Sequence, residues 1–536
     1  FGDNDNDTGL GNATIQRSVD LSGVGAATLS FSYAENSFDA GEIVTVFFAA
    51  DGVNFAPVEM IDGNSGTGTA TIQLDGPFTA NGIIRFTVSG TNNNSSQDSV
   101  TIDNLSIAVQ VPAAAASINH EVTFVEDGNA VAIASLPGIV ENSGLISSAR
   151  IVLTNAQPGD SLAAPTDLPG TITRTIDTSV PGVVTIVMTG VESIANYQAA
   201  IQAVTFSNNS QNPSPVDRIV QVTVADTLLD SNVATATIHV TPVNDAPSVT
   251  NDSIFTNAGT APFVVPEWAL LANDADPEGT ALDVTAVTVA GNTLTSVSLA
   301  ANPGSVTVTD NAAANGTFNY TVSDGAATAN GQATVTRDVA GAIDGNGGAN
   351  ILVGNGAGST FNGGGGNDII FAGAGDDTIN WTATAFVLGP IVIETGTDGR
   401  DFVDGGDGTL DRFVVNGNAT AENFVVYARA SVPAALLATL RPETEIVITR
   451  NGNVIAELDN IEEITINTGQ GTDTVQAVGD FSPTSLSFST ITINGESGND
   501  TVDISSLQSA HRIVFRSNGG NDTIVYDATN GTVVTT

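Results

Sequence analysis

Residues 345–380, cut into nines, read GNGGANILV, GNGAGSTFN, GGGGNDIIF and AGAGDDTIN. In every block six residues must turn sharply and three must run as a strand. Glycines at the first, second and fourth places allow backbone angles closed to other residues and let carbonyl oxygens crowd together. The aspartate at the sixth place, Asp368 and Asp377 in the last two blocks, adds a hard anionic oxygen. Carbonyls plus carboxylate are the donor set Ca2+ prefers, at about six to eight ligands. The eighth place is always apolar (Leu352, Phe361, Ile370, Ile379) and is expected to point inward, buried by the next turn. The apolar seam is thin and the acidic loops repel one another, so stability is expected to need metal. A Gly/Asn/Asp run can also be a flexible linker. The nine-residue register and its apolar eighth place argue for the roll.

The block Gly363–Phe371 matches G-G-x-G-x-D-x-U-x in full and resembles the calcium-binding nonapeptide of secreted RTX (hemolysin-type) proteins. That resemblance implies a parallel β-roll with Ca2+ held in its turns. By it, Gly363, Gly365, Ala372 and Ala374 lend carbonyls, and Asp368 and Asp377 lend carboxylates. Asn350 and Ser359 replace the aspartate in the first two blocks, making weak or partial sites. Further copies follow. Residues 396–404 place Asp401 sixth, and residues 405–413 include Asp407 but carry Asp411 one place late. Asp473, Asp500 and Asp522 hold the sixth place in TGQGTDTVQ, GESGNDTVD and SNGGNDTIV. The strands EITIN, TITIN and RIVFR precede these copies, so the roll is read as interrupted and elaborated over 340–536. A short helix is expected at Val432–Leu440.

The rest of the chain alternates apolar and polar residues between turn signals, an all-β pattern. Residues 1–110 (TLSFSY, IVTVFF, IIRFTV, SVTIDNLSIAV) resemble the jelly-roll sandwiches found beside bacterial secreted enzymes and adhesins. That resemblance makes Asp3, Asp5, Asp98 and Asp103 candidates for one Ca2+, the alternative being a solvated acidic rim. Some such domains bind sugars, but a sugar platform needs exposed aromatics and this stretch has no Trp. After the linker VPAAAA, residues 117–245 resemble cadherin-like repeats, with a helix expected within Val191–Val204. The resemblance places junction ligands at Glu126, Asp127, Asp226, Asn244 and Asp245; ENSG at Glu141–Gly144 replaces the family's usual D-x-D. Residues 246–339 also resemble a bacterial cadherin-like repeat. Their loop gathers Asn273, Asp274, Asp276 and Glu278 into six residues, a plausible Ca2+ cage with Asp324 as partner. Trp268 reads as core packing.

Composition narrows the function. The 536-residue chain suits about three to five domains. Its formal net charge of −45 is spread throughout, which argues against nucleic-acid binding. No cysteine is present, excluding disulfides, thiolate nucleophiles and thiolate zinc sites. Metal is then the available staple. No stretch is long and apolar enough for a membrane-spanning helix. No signal peptide is visible and the chain begins at Phe1, so a mature product or part of something longer is expected.

Catalytic constellations are scarce. His120, His239 and His511 fall in different regions, with no pair at metal-ligand spacing. No G-x-S-x-G elbow occurs. The acids sit in Gly/Asn turns, where a hard cation would keep them ionised, whereas a catalytic acid wants burial and a raised pKa. The leading expectation is a secreted, non-catalytic, calcium-stiffened structural or adhesive protein of the bacterial surface or matrix. It would self-associate or meet other surface proteins or glycans, and could assemble into a layer or fibre. The other readings are a scaffold arm of a larger secreted RTX enzyme, for example of haem-peroxidase type, and a carbohydrate-binding adhesin working through residues 1–110.

Overall fold

Alternating side chains suit strands with one buried face, and strands make up 52% of the chain against 4% helix. The computed structural model describes residues 13–535 except 23, 37, 39–40, 64–65, 90–98, 111–113, 117–119, 136, 141–143, 227–228, 292–293, 302–303, 312–313, 339–341, 389–390, 489 and 527–531. Asp3, Asp5, Asp98, the start of the VPAAAA linker and Glu141–Ser143 lie outside the described residues. The chain forms two units, Phe1–Val243 and Asn244–Thr536.

The first unit opens with an antiparallel sandwich. Thr14–Val19, Gly82–Ser89, Ile43–Ala49 and Ala56–Asp62 form one sheet; Thr67–Leu74, Ala26–Asn36 and Ser99–Gln110 form the other. Leu29, Phe31, Val44, Val46 and Phe86 fill the space between them. A six-stranded sheet follows, in which His120–Val125 lies parallel to Ala234–Thr241. The helix here is Ile194–Gln202, shorter than the expected span because Val191–Ser193 still belongs to the strand Val184–Ser193. The Ser193 hydroxyl accepts the Asn196 N–H and starts the helix. Tyr197 and Ile201 are buried on one face, and the Tyr197 hydroxyl donates to the Gly190 carbonyl at 2.7 Å.

In the second unit, Asp283–Ala290, Gly316–Ser323, Thr328–Arg337 and Asp252–Thr256 form one sandwich sheet, and Phe263–Pro266, Gly304–Thr309 and Ser296–Ala301 the other. Asp252–Thr256 also pairs in parallel with Ile351–Val353. The sheet therefore runs from the sandwich into the nonapeptides without a break, reaching 13 strands. Trp268 sits half-buried at this transition. Its ring meets Phe371 and Phe402 of the roll edge-on, at 5.5 and 5.3 Å, and Arg441 stacks 3.6 Å from its centre.

The roll has two parallel sheets in strict register. Leu352 lies opposite Ile370, and Phe361 opposite Ile379; all four are fully buried, as the eighth-place rule requires. Phe413, Ile464, Ile491 and Ile513 continue one interior file. EITIN, ITIN and RIVFR are successive strands of that same sheet. Between the turns the strands Asn423–Ala428, Ile446–Arg450 and Asn453–Asp459 insert an antiparallel excursion. Its helix is only Ala434–Leu437, narrower than expected, and none of its residues is buried, so no packing extends it.

Because Phe413 is wholly enclosed in the roll's central file, Phe413→Ala should cost about 3–5 kcal/mol. Denaturant unfolding monitored by far-UV circular dichroism measures this, and a loss under about 1 kcal/mol contradicts the packing described.

Candidate metal centre

At many of the short roll strands the residue just before or at the strand's start is an acid or its substitute, and these residues form hydrogen-bonded rows along the roll. In one row the Asn350 N–H donates to Asp368 Oδ1 at 2.7 Å, and the Asp368 N–H to Asp401 Oδ1 at 3.0 Å. In the second, Ser359 donates to Asp377 Oδ1 at 2.6 Å, Asp377 to Asp411 Oδ1 at 2.8 Å, and Asp411 to Glu462 Oε2 at 2.8 Å. In the third, Glu422 donates to Asp473 Oδ1 at 2.8 Å, Asp473 to Asp500 Oδ1 at 3.0 Å, and Asp500 to Asp522 Oδ1 at 2.9 Å. Each rung thus uses one carboxylate oxygen to tie its turn to its neighbour.

The other oxygen is the chemically active one. Oδ2 of Asp368, Asp377, Asp411, Asp473 and Asp500 is buried with no hydrogen-bond donor. These residues are at most 2% exposed. A buried anionic oxygen without a donor is costly, and a protein tolerates it only where a cation or proton completes it. Burial accordingly pushes Asp368, Asp377 and Asp473 up to about 7 against the donated backbone hydrogen bond, and holds Asp401 well above the usual range.

Glycine shapes the turns in two ways. The second and fourth places adopt positive φ, +88° and +114° at Gly364 and Gly366. The first place does not; a Cβ on Gly363 would instead strike Asp368 Oδ2. Ala372 stands at a first place and is fully buried.

The sequence-identified residues distribute unevenly. Asn350, Asp368, Asp377, Asp401, Asp473, Asp500 and Asp522 stand in the rows. Asp407 does not; it is exposed at the turn, and its N–H donates to the Gly373 carbonyl. Asp411 takes the rung because it directly precedes the strand Arg412–Asn416, its turn being one residue longer. Glu422 and Glu462 were not recognised as rungs. A search for aspartate passes over them, although Gly417–Val425 (GNATAENFV) keeps the nine-residue frame with glutamate sixth and buried Phe424 eighth.

A second acidic group joins Asp245 to the Asn273–Glu278 loop. Asp245 Oδ2, Asp274 Oδ2, Asp276 Oδ2 and Glu278 Oε1 are buried without hydrogen-bond donors. The Asp245 N–H donates to Glu278 Oε2 at 3.3 Å, bringing the two segments together. Asn273 turns away and donates to Asp252 Oδ1 at 3.1 Å. Asp324 accepts the Ala327 and Ala326 N–H groups and the Asn244 side chain, so its carboxylate is already served and held below the usual range. In the first unit, Glu126 accepts the Val243 N–H at 2.8 Å and Asp226 the Leu229 N–H at 2.7 Å. Asp127 accepts from Gln211, and exposed Asp103 accepts the Asn104 N–H.

Among the described residues no three His, Asp or Glu side chains are placed to hold one ion by themselves. One carboxylate per turn is what a carbonyl-rich hard-cation site offers, so side-chain clustering is a poor measure of these turns. The orphaned oxygens and glycine turns fit a hard divalent cation. The histidines are occupied by structure. His120 meets the Ala132 carbonyl, His239 meets Asp217, and buried His511 lies between Ser509 and the Leu486 carbonyl.

These carboxylates release protons on unfolding, since their folded pKa lies above the unfolded value near 3.8. The metal-free protein should therefore be most stable below about pH 4 and lose stability steadily up to about pH 7. Thermal melts in EGTA between pH 4 and 8 should show the midpoint falling across that window; a midpoint that rises there contradicts buried, uncompensated rungs.

Residues 243–340 match the cadherin-like domain family. No characterised protein sequence matches the chain significantly. Among solved structures, human CDH23 EC21-23 is 15% identical over 42% of this chain and 69% of that one, with a TM-score of 0.22. Human Protocadherin-24 EC1-2 is 12% identical over 41% and 94%, also with a TM-score of 0.22. The endo-fucoidan hydrolase MfFcnA9 from glycoside hydrolase family 107 is 14% identical over 33% of this chain, with a TM-score of 0.14. This chain spans 27% of that hydrolase's length. Residues 243–340 are thus similar to cadherin-like domains, set within an almost wholly β chain.

Proposed function

We propose that the chain is a secreted, non-catalytic structural or adhesive protein whose β modules are held rigid by several Ca2+ ions. The observation that carries this is the repeated rung: one carboxylate oxygen bonded to the next turn, the other buried and lacking a donor. Carbonyl-rich turns with one carboxylate each select a hard cation over zinc or copper, whose sites need His or Cys. The cadherin-like match at 243–340 supports an extracellular setting and calcium at the Asp245–Glu278 loop. Likeness to the nonapeptides of RTX proteins supports export followed by folding on meeting external calcium. Binding to the folded state alone makes metal a source of folding free energy. The net charge of −45 supports the same coupling, since self-repulsion opposes compaction until cations neutralise it.

Ca2+ would be held by Asp368, Asp377, Asp411, Asp473 and Asp500 with nearby turn carbonyls. There it would supply charge neutralisation, and the turns themselves would set the register. Stiff modules suit spacing, adhesion or assembly, and self-association is the expected partnership.

The test is calcium titration of the EGTA-treated chain, followed by circular dichroism and light scattering together. Each site bound only in the folded state should add about 2.7 kcal/mol when Ca2+ is a hundredfold above its Kd. Folding with particle growth supports assembly, while folding without growth supports a monomeric arm. A melting midpoint indifferent to EGTA would remove the calcium reading. Asp473→Asn should lower the calcium-to-chain ratio without abolishing binding elsewhere, as equilibrium dialysis can measure.

A further inference from the structure

The third row begins differently from the way it continues. Glu422 stands in line with Asp473 and Asp500, ahead of strands that pair in register, Asn423 with Thr474 and Thr474 with Thr501. Its N–H donates to the next rung as theirs do. Its side chain is served otherwise. Oε2 accepts the Asn418 N–H at 2.9 Å, and Oε1 is hydrogen-bonded and ion-paired to Arg450 Nε. Both side chains are nearly inaccessible, at 0% for Glu422 and 6% for Arg450.

Oε2 occupies the place that Oδ2 takes in an aspartate rung. A Cβ on Gly417 would strike Glu422 Oε2, as a Cβ on Gly363 would strike Asp368 Oδ2 and one on Gly495 would meet Asp500 Oδ2. The strand preceding this rung is the antiparallel Ile446–Arg450, so no nonapeptide turn lies on that side to lend carbonyls. Arg450, the last residue of that strand, delivers a guanidinium instead. Its charge is permanent and its donors planar, which suits a buried carboxylate better than lysine would.

We infer that Glu422 is a metal position that the protein fills with its own cation, Arg450, so that the third row starts on a rung complete without Ca2+. This rests on the calcium reading of the neighbouring rungs. The consequence is a division within the roll. The rungs at Asp473 and Asp500 await metal, and the turn they stack on is already neutralised. Removing Arg450 strips a buried carboxylate of its counter-charge, which is strongly destabilising unless another cation enters. Ca2+ is the cation at hand in this roll.

The experiment compares the full chain with Arg450→Met and with Arg450→Met/Glu422→Gln, by calcium content after equilibrium dialysis and by melting in EGTA and in saturating Ca2+. Arg450→Met should hold one more Ca2+ per chain than the parent. It should melt lower than the parent in EGTA and recover most of that loss in Ca2+. The double variant, with an amide in place of the carboxylate, should return to the parent's ratio. It also shows whether losing the arginine alone prevents folding. If the parent binds Ca2+ and Arg450→Met gains none, or is destabilised equally with and without Ca2+, the inference fails and the calcium reading stands. If the parent takes up no Ca2+, both fail.

Discussion

The architecture depends on a hydrogen bond that leaves half of a carboxylate unserved. In each aspartate rung Oδ1 accepts the backbone N–H of the turn before, which fixes the stacking of turns. At Asp368, Asp377, Asp411, Asp473 and Asp500 the same closeness seals Oδ2 from water. Register and metal demand are therefore one feature. A side chain long enough to bring Oδ2 into solvent would relieve the charge, but it would also lose the short bridge between turns. Asn350 opens its row without charge: its backbone N–H donates to Asp368, while its side-chain oxygen accepts the Asn346 N–H of its own turn. The first two rows accordingly begin on a neutral residue, Asn350 and Ser359, and carry charge from the next rung on.

A second set of links involves no buried charge. At the ends of the other sheet's strands, the Asn380 amide donates to Asn362, the Asn467 amide to Asn416, and the Asn494 amide to Asn467. Such amide ladders hold successive turns at the same height, and each partner is both donor and acceptor. The interior adds files of Leu, Ile, Val and Phe side chains from both sheets, with two inward residues on strands such as Glu463–Asn467, where Ile464 and Ile466 are both buried. Amides and apolar contacts can align the turns before any cation arrives. The carboxylate rows oppose that alignment until they are neutralised. The amide and apolar lines are purely cohesive, whereas the carboxylate rows both tie the turns through Oδ1 and repel one another, and it is that repulsion which the proposed cations would relieve.

Much of this was legible because the roll obeys a period. The eighth-place residues Leu352, Phe361, Ile370 and Ile379 announce the interior, and Asp368 and Asp377 the rungs. The reading faltered where the period did. Asp411 was noted as one place late, yet the strand behind it sets the rung and the glycine count does not. Glu422 keeps the frame and escapes only a search confined to aspartate, whereas its pairing with Arg450, 28 residues away, depends on the antiparallel excursion. The fold class followed from alternation alone. The pairing of Asp252–Thr256 with Ile351–Val353 did not, since nothing local marks which edge of a sandwich a later strand will choose. Trp268 reads as core from sequence, and it does pack, but against Phe371 and Phe402, which lie more than a hundred residues further on in sequence.

That shared sheet changes what the cadherin-like module is within its unit. A sandwich ordinarily has to protect its edge strands, because exposed backbone N–H and C=O groups invite pairing with other chains. Here Asp252–Thr256 has a strand on both sides, Ala333–Arg337 on one and Ile351–Val353 on the other. Arg441, from the excursion, closes over Trp268 of the sandwich, and Arg400 ties the nonapeptide turns to Glu457 of that excursion. Sandwich, turns and excursion are thus joined by main-chain hydrogen bonds, an aromatic cluster and a guanidinium stack, and none of these joints contains a carboxylate rung. The charge repulsion of the rows therefore lies along the stack of turns and not within these joints. If calcium fills the rungs as proposed, it would stiffen the roll against an anchor that is already in place.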